Sequence, residues 1–315
     1  IRDCLLSRGL GDVYKRQILG PTMNATGRLS TAKDAIKLLM EEDIDEIYSL
    51  AKNLVELNNE RKTLTEEGLD KCIKIIEENN YHKDDVIVVY ENSINESICG
   101  IVAGRIKEKY YRPAIILSNS NTEGLAKGSG RSIDSYNIYE EVSKYKNNLE
   151  SFGGHPMACG LSIRNNLIDD FRKFLNENSK LSQKQKEKMI NIDKAIDISK
   201  LSLEFAKSLK KLEPFGKDFE KPIFADKKVV IAKCDMIGKD KKTMRLSLNK
   251  NGTYINAIKF HALDEYEYLK EKFGDNIVGS KIDIVYYPDI NEFRGNINLQ
   301  LKLIDIRWGE YDDRF

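Results

Sequence analysis

The chain has 315 residues, 32% of them charged and 41% hydrophobic, and its 51 lysines and arginines almost balance 50 aspartates and glutamates, for a net charge of +1. This composition excludes a disordered chain, five cysteines are too sparse for a disulfide scaffold, and no apolar run approaches the ~20 residues that span a bilayer. The length suits roughly two domains, and any nucleic-acid contact has to come from local basic clusters rather than a global field.

Residues 1–17, IRDCLLSRGLGDVYKRQ, show neither a helical nor a strand period, nor the apolar core of a signal peptide. The segment resembles translated sequencing-adapter sequence. It is expected to be non-native, with the native protein extending upstream of Ile18, so Cys4 and Arg8 carry no functional expectation. Ile18 to Leu29 (ILGPTMNATGRL) reads as a Gly/Pro loop, and Ser30 as the cap of the helix TAKDAIKLLM. From Glu42 to Asn79 a stripe through Ile44, Ile47, Leu54, Leu57, Leu64, Leu69, Cys72 and Ile76 predicts one amphipathic helix, broken near Gly68 and long enough to connect two lobes.

Asp85 to Tyr90 and Pro113 to Leu117 read as buried strands, with a helix from Ser97 to Tyr110 between them. Glycine-rich stretches at Glu123 to Ser132 and Phe152 to Ile163 precede a helix from Asn166 to Glu177, and the alternation predicts an α/β domain. Ser179 to Lys188 suits a linker or a solvated helix. Beyond a helix from Leu201 to Leu212, strands are predicted at Lys228–Ile237, Thr243–Asn249, Tyr254–Phe260, Lys281–Tyr287 and Asn296–Ile306. One helix, Leu263 to Phe273, lies between the third and fourth, which is the order of an OB-fold barrel.

Three motifs stand out. In Gly153-Gly154-His155-Pro156-Met157-Ala158-Cys159-Gly160, paired glycines let a ligand approach the backbone and the imidazole can donate to a phosphate oxygen; the plain alternative is a tight turn with a structural histidine. In Gly128-Ser129-Gly130-Arg131-Ser132, Ser129 and Arg131 stand two apart on a strand and so share a side, which suits gripping one phosphate; the alternative is a hairpin with a surface arginine. In GPTMNATGRL, Asn24 and Arg28 offer polar contacts, though alone the segment reads as an ordinary turn.

Taken together these motifs resemble the RecJ-type exonucleases of the DHH phosphoesterase superfamily. GPTMNATGRL resembles the end of that family's metal-binding lobe, GSGRS and GGHPMACG its second-lobe (DHHA1) signatures, and Leu212-Glu213-Pro214-Phe215-Gly216 its entry into an OB fold. The resemblance implies an α/β DHHA1 lobe (residues 81–180) and an all-β OB-fold barrel (181–312), joined by a long connector helix (42–80) to a remnant of the DHH lobe (18–41). It implies a 5′-to-3′ exonuclease for single-stranded DNA, acting in DNA repair and recombination with Mn²⁺ or Mg²⁺. Arg28, Ser129 and Arg131 match the 5′-phosphate pocket; Asn24, Gly128, Gly130, Gly153 and Gly154 match the substrate loops, with His155 in the catalytic position. For strand binding by the OB lobe, Lys239, Lys241, Lys242, Arg245, Tyr254 and Arg294 are candidates, although a charged strand face is usually only solvated.

Single-stranded DNA is the implied partner, with a single-strand-binding protein and a RecQ-type helicase as further candidates, in the cytoplasm and away from membranes. The sequence departs from the family at the metal site. Its three histidines, His82, His155 and His261, include no Asp-His-His run, so the several carboxylates and imidazoles of a two-metal site are not expected in this chain, which is predicted to be inactive alone. Lys217-Asp218-Phe219-Glu220 stands where the family has Gly-Asn-Pro. Cys72, Cys99, Cys159 and Cys234 have no metal spacing and read as reduced, mostly buried thiols. Two rival functions stay open: a DHH/DHHA1 phosphodiesterase of cyclic dinucleotides or short oligonucleotides, and a non-catalytic single-strand-binding module.

Overall fold

The computed structural model describes residues 18–216, 219–238, 241–274, 276–293 and 295–307. The adapter-like segment, Lys217, Asp218, Lys239 and Arg294 therefore lie outside the described residues. The chain divides into two compact units at the Lys188/Met189 junction.

The first unit opens with helices α1 (Gly20–Leu29), α2 (Ala32–Met40) and α3 (Ile44–Glu78). The expected loop at 18–29 is thus largely a helix. Pro21 lies in its first turn, where the missing N–H costs nothing. The Thr26 hydroxyl donates to the Met23 carbonyl at 2.8 Å, and Ala25 and Thr26 are buried. The cap of α2 is Thr31, not Ser30, and Ser30 Oγ instead donates to Asp34 Oδ2. Asp43 caps α3 by accepting from the Glu46 N–H, and the 35-residue helix then runs without a break, roughly 52 Å at 1.5 Å per residue. Gly68 does not interrupt it. A Cβ there would stand 3.4 Å from Ile94, so glycine serves close packing.

A mixed sheet follows, ordered β1 (Ile87–Tyr90), β2 (Ala114–Asn119), β3 (Leu125–Arg131), β5 (Ala158–Arg164) and β4 (Leu149–His155). Only β1 and β2 run parallel, joined through α4 (Cys99–Tyr110). The continuous apolar runs of β1 and β2 are buried on both faces, as strands covered on each side require. One face packs Val88, Ile115, Leu117, Leu161 and Ile163 against α6 (Ile168–Glu177) through Phe171 and Leu175. The other packs Ile87, Val89, Ala114 and Ile116 against α4 and the carboxy-terminal half of α3, through Cys72, Ile76, Val102 and Ile106.

The first glycine-rich stretch forms β3, the strand expected to carry Ser129 and Arg131; the second forms the β4–β5 hairpin, and a short unpredicted helix, α5 (Ile138–Ser143), is capped by Asn137. Residues 179–188 are docked rather than a free linker. Lys186 Nζ pairs with Asp85 at 2.7 Å, and Arg112 donates to the Lys186 carbonyl.

The second unit is a closed five-stranded barrel of β7 (Phe224–Ile237), β8 (Thr243–Lys250), β9 (Thr253–Lys259), β11 (Asn296–Arg307) and β10 (Lys281–Phe293). Pairing of β10 with β7 closes it, and β11 runs parallel to β9. The short strand β6 (Lys194–Ala195) extends the sheet beside β7, α7 (Leu203–Lys210) precedes the barrel, and α8 (Leu263–Phe273) lies between β9 and β10. The predicted alternation holds: Met244, Leu246, Leu248, Ala257 and Leu301 are buried, with Arg245, Ser247 and Asn249 on the opposite side of β8. Two strands are longer than predicted. Strand β7 starts at Phe224, and β10 continues to Phe293, where its hairpin with β11 leaves Ile297 exposed.

Candidate phosphate and nucleic-acid site

The register of the first sheet sorts its glycine-rich strands into two faces. Ser129 pairs with Gly160 and Arg131 with Ala158 on one side of β5; Gly153 pairs with Gly160 and His155 with Ala158 on the other. Directly opposed residues in antiparallel strands share a face, so Ser129, Arg131, Ala158, Gly160, Gly153 and His155 lie together. Gly153, His155 and Gly160 are exposed, and a Cβ on Gly153 would meet nothing within 4 Å. This stretch of sheet is a bare shelf of backbone.

Gly128 and Gly130 point the other way. A Cβ on Gly128 would fall 2.0 Å from the Ile116 carbonyl oxygen, and one on Gly130 would fall 2.6 Å from Ile138 and 2.8 Å from Cys159 Sγ. These two glycines seat β3 against its neighbours, leaving Ser129 and Arg131 to reach the open side. Gly154 is required by the hairpin itself, since a Cβ would lie 2.4 Å from the Ala158 carbonyl oxygen. Of the three motifs, GSGRS lies on the strand expected for Ser129 and Arg131, whereas GPTMNATGRL is a helix and GGHPMACG a β-hairpin.

Arg131 Nη1 donates to Ser129 Oγ at 2.8 Å and to the Gly130 carbonyl at 2.7 Å, while Ser129 Oγ donates to the Cys159 carbonyl. The first turn of α4 leans over this pair: a Cβ on Gly100 would lie 2.7 Å from Arg131 Nη2 and 3.2 Å from Ser129 Oγ. Just before that turn, the Ser97 carbonyl accepts from Arg28 Nη1 at 2.9 Å. The segment from Ser97 to Gly100 is therefore the hinge point on which Arg28, from α1, and Arg131, from β3, meet. Asn24 stands one turn before Arg28 on α1 and is exposed.

A third guanidinium joins them. Arg61, on α3, donates from Nε and Nη2 to Asn58 Oδ1, and Asn58 in turn donates to Thr22 Oγ1 on α1. Burial, then the charges of Arg28 and Arg105, lower the pKa of Arg61; burial and Arg28 lower that of Arg131, against an opposing pull from Cys159. All stay cationic, as guanidinium groups do in proteins. Among the described residues, no carboxylate forms an ion pair with Arg28, Arg61, Arg105 or Arg131. Arg28 is exposed, but Arg61 and Arg131 are half-buried, and half-buried like charges without an acidic partner are costly unless an anion completes them. Sequence reading missed Arg61 and Asn58. In the structure Asn58 is a polar residue at 4% exposure within the buried stripe of α3.

Other sequence candidates fall apart in the fold. Burial pushes the Cys159 thiol up to about 11, and Cys72 and Cys99 up to about 12, which suits packing rather than nucleophilic chemistry. His82 sits 3.4 Å from Glu77 in a short turn, and His261 follows β9 at an exposed position. Among the described residues, no group of three or more His, Cys, Asp or Glu side chains is placed to hold a metal ion.

On the barrel, Arg245 is held by Asp235 at 3.0 Å, which also takes Lys233, whereas Tyr254 is 66% exposed on β9. Arg245 and Tyr254 both face outward, roughly 13 Å apart at about 3.4 Å per residue along the paired strands. Lys241 occupies an exposed turn before β8.

Comparison with known proteins agrees with this architecture. Residues 83–180 match the DHHA1 domain and residues 192–305 the RecJ OB domain. The single-stranded-DNA-specific exonuclease RecJ of Bacillus subtilis is 31% identical over 296 residues, 93% of this chain and 36% of that protein. Crystal structures of RecJ from Thermus thermophilus, in complex with Mg²⁺ and with Mn²⁺, superpose with a TM-score of 0.74 at 21% identity over 95% of this chain, a likeness of fold. The chain covers 44% and 42% of those two. It spans well under half the length of each of these relatives. No described helix is long and apolar enough to cross a membrane. A DHHA1 domain followed by a RecJ OB domain, in a chain similar along 93% of its length to a RecJ exonuclease, places this protein in the RecJ family.

Proposed function

We propose that this chain binds the 5′-phosphorylated end of single-stranded DNA, as part of a 5′-to-3′ exonuclease of DNA repair and recombination. The observation that carries this reading is the cluster of Arg28, Arg61 and Arg131, without a carboxylate, beside a bare glycine shelf. A terminal phosphate dianion accepts bidentate bonds from Arg131 and Arg28 and one from Ser129. A 3′ end presents no such dianion, so the pocket would set polarity. Asn24, Gly153, Gly154 and His155 would hold the next phosphate, with the exposed backbone permitting close approach. The barrel would retain further nucleotides by stacking and phosphate contacts, Tyr254 and Lys241 among them.

In such enzymes the metal ions supply a nucleophile and neutralise charge on the phosphate. The described residues offer no ligand set for Mn²⁺ or Mg²⁺, so hydrolysis is assigned to groups outside them, and this chain alone would bind without cutting. A single-strand-binding protein and a RecQ-type helicase are proposed companions of the complete enzyme.

The test is fluorescence anisotropy with 3′-labelled single strands ending in 5′-phosphate or 5′-hydroxyl. Hydrogen bonds to charged groups of about 1.5–3 kcal/mol predict at least a tenfold preference for the phosphate. Arg131→Ala should abolish that preference while leaving 5′-hydroxyl binding nearly unchanged. Equal weakening for both ends would refute the anchor, and cleavage by the purified chain with Mn²⁺ would refute the binding-only assignment.

A further inference from the structure

At the entry to the barrel, the segment that departs from the resembled Gly-Asn-Pro motif places an aromatic ring in solvent. Phe219 is 54% exposed and stacks on Phe215, with ring centroids 5.5 Å apart and planes 30° from parallel. Phe215 is itself buried and meets the buried Tyr287 of β10 edge-on at 6.4 Å. The Gly216 N–H donates to the Phe219 carbonyl at 2.8 Å, which fixes the ring's root. Three rings thus climb from the barrel wall to the surface, and the outermost has one face on protein and one bare.

Beside this ladder lies Lys221, an exposed cation 4.7 Å from the Tyr287 ring and 5.8 Å from that of Phe215. Among the described residues Lys221 forms no ion pair; the nearby carboxylate of Asp289 is engaged by Lys302. A flat ring stacked on a buried ring, next to an exposed ammonium that forms no ion pair among the described residues, matches one ligand unit: a nucleobase with its phosphate.

We infer that Phe219 is a base-stacking platform on which one nucleotide of a single strand lies, with Lys221 taking its phosphate. The inference rests on the proposed binding of single strands and names a contact on the barrel that neither the sequence candidates nor the family motif includes. Because Phe219 is exposed, its truncation leaves the barrel core intact.

The experiment measures affinity of the full chain for a 5′-hydroxyl oligothymidylate of fifteen nucleotides, and for the same strand made entirely of abasic units. The 5′-hydroxyl keeps the arginine pocket out of the readout. Phe219→Ala should weaken thymidylate binding about tenfold, the scale of one lost stacking contact, and leave abasic binding unchanged. Phe219→Trp should retain affinity, with its indole emission quenched by thymidylate and not by the abasic strand. Lys221→Gln should weaken both strands and flatten the dependence on salt. If wild type binds and Phe219→Ala binds equally well, the platform is wrong while single-strand binding by the chain stands. If wild type binds no single strand, both fall. An equal loss on both strands in Phe219→Ala would mark a disturbed turn and would also overturn the stacking role, as would a Phe219→Trp emission indifferent to thymidylate.

Discussion

Two groups of cations, one in each unit, are held in opposite ways, although elsewhere in the first unit Lys186 pairs with Asp85 and Arg172 with Asp169. In the barrel Lys250 pairs with Asp226 and Asp197, Lys259 with Glu265, and Asp226 also accepts from the Ile198 N–H at 2.8 Å. In the first unit, Arg28, Arg61 and Arg131 are bound by a carbonyl, an amide and a hydroxyl, all neutral. An ion pair closed within the protein fixes structure and leaves no charge for a ligand. A guanidinium group held only by neutral acceptors is positioned but not neutralised. The distribution of carboxylates, rather than that of arginines, separates the candidate site from the scaffold.

The contrast can be broken first at the glycines that separate scaffold from site. Gly128→Val drives a branched side chain into the Ile116 carbonyl, and the first unit should lose roughly 3 kcal/mol or more, read as a fall in its thermal midpoint. Asp226→Ala tests the barrel's closed network. It removes the nearer of the two acids paired with Lys250 and strands the Ile198 N–H, and should cost about 3 kcal/mol in chemical denaturation, with no change in 5′-phosphate preference. Arg131→Lys sharpens the other side. Stability should hold within about 1 kcal/mol, while loss of the fork geometry lowers the affinity for 5′-phosphate about tenfold in anisotropy titrations. The smallest effect belongs to Arg245→Ala. Its exposed pair with Asp235 is worth at most about 1 kcal/mol, and single-strand affinity should shift less than about twofold.

The barrel was legible because period-two alternation survives in Met244 through Asn249, and because α8 interrupts the strands in the right place. The Ser129–Arg131 pair was legible for the same local reason, since residues two apart on a strand share a face. The α1 segment misled because Gly20, Pro21 and Gly27 carry loop propensity, whereas the helix is settled by packing of Ala25 and Thr26 and by the bond from Asn58. The β4–β5 hairpin hid because Gly153, Gly154 and Gly160 erase the alternation that marks a strand. Arg61 was invisible for a different reason. Its meaning depends on α1 lying across α3, a long-range fact that no window of sequence contains.

The missing acid beside Arg28, Arg61 and Arg131 also governs how the protein behaves in a tube. On the proposed reading, sulfate, citrate and orthophosphate would meet the same guanidinium groups as a nucleotide end, and a solute that binds only the native state raises its stability with the logarithm of its concentration once above its dissociation constant. A preparation eluted in phosphate buffer will look sturdier and bind oligonucleotides more feebly than one dialysed into chloride.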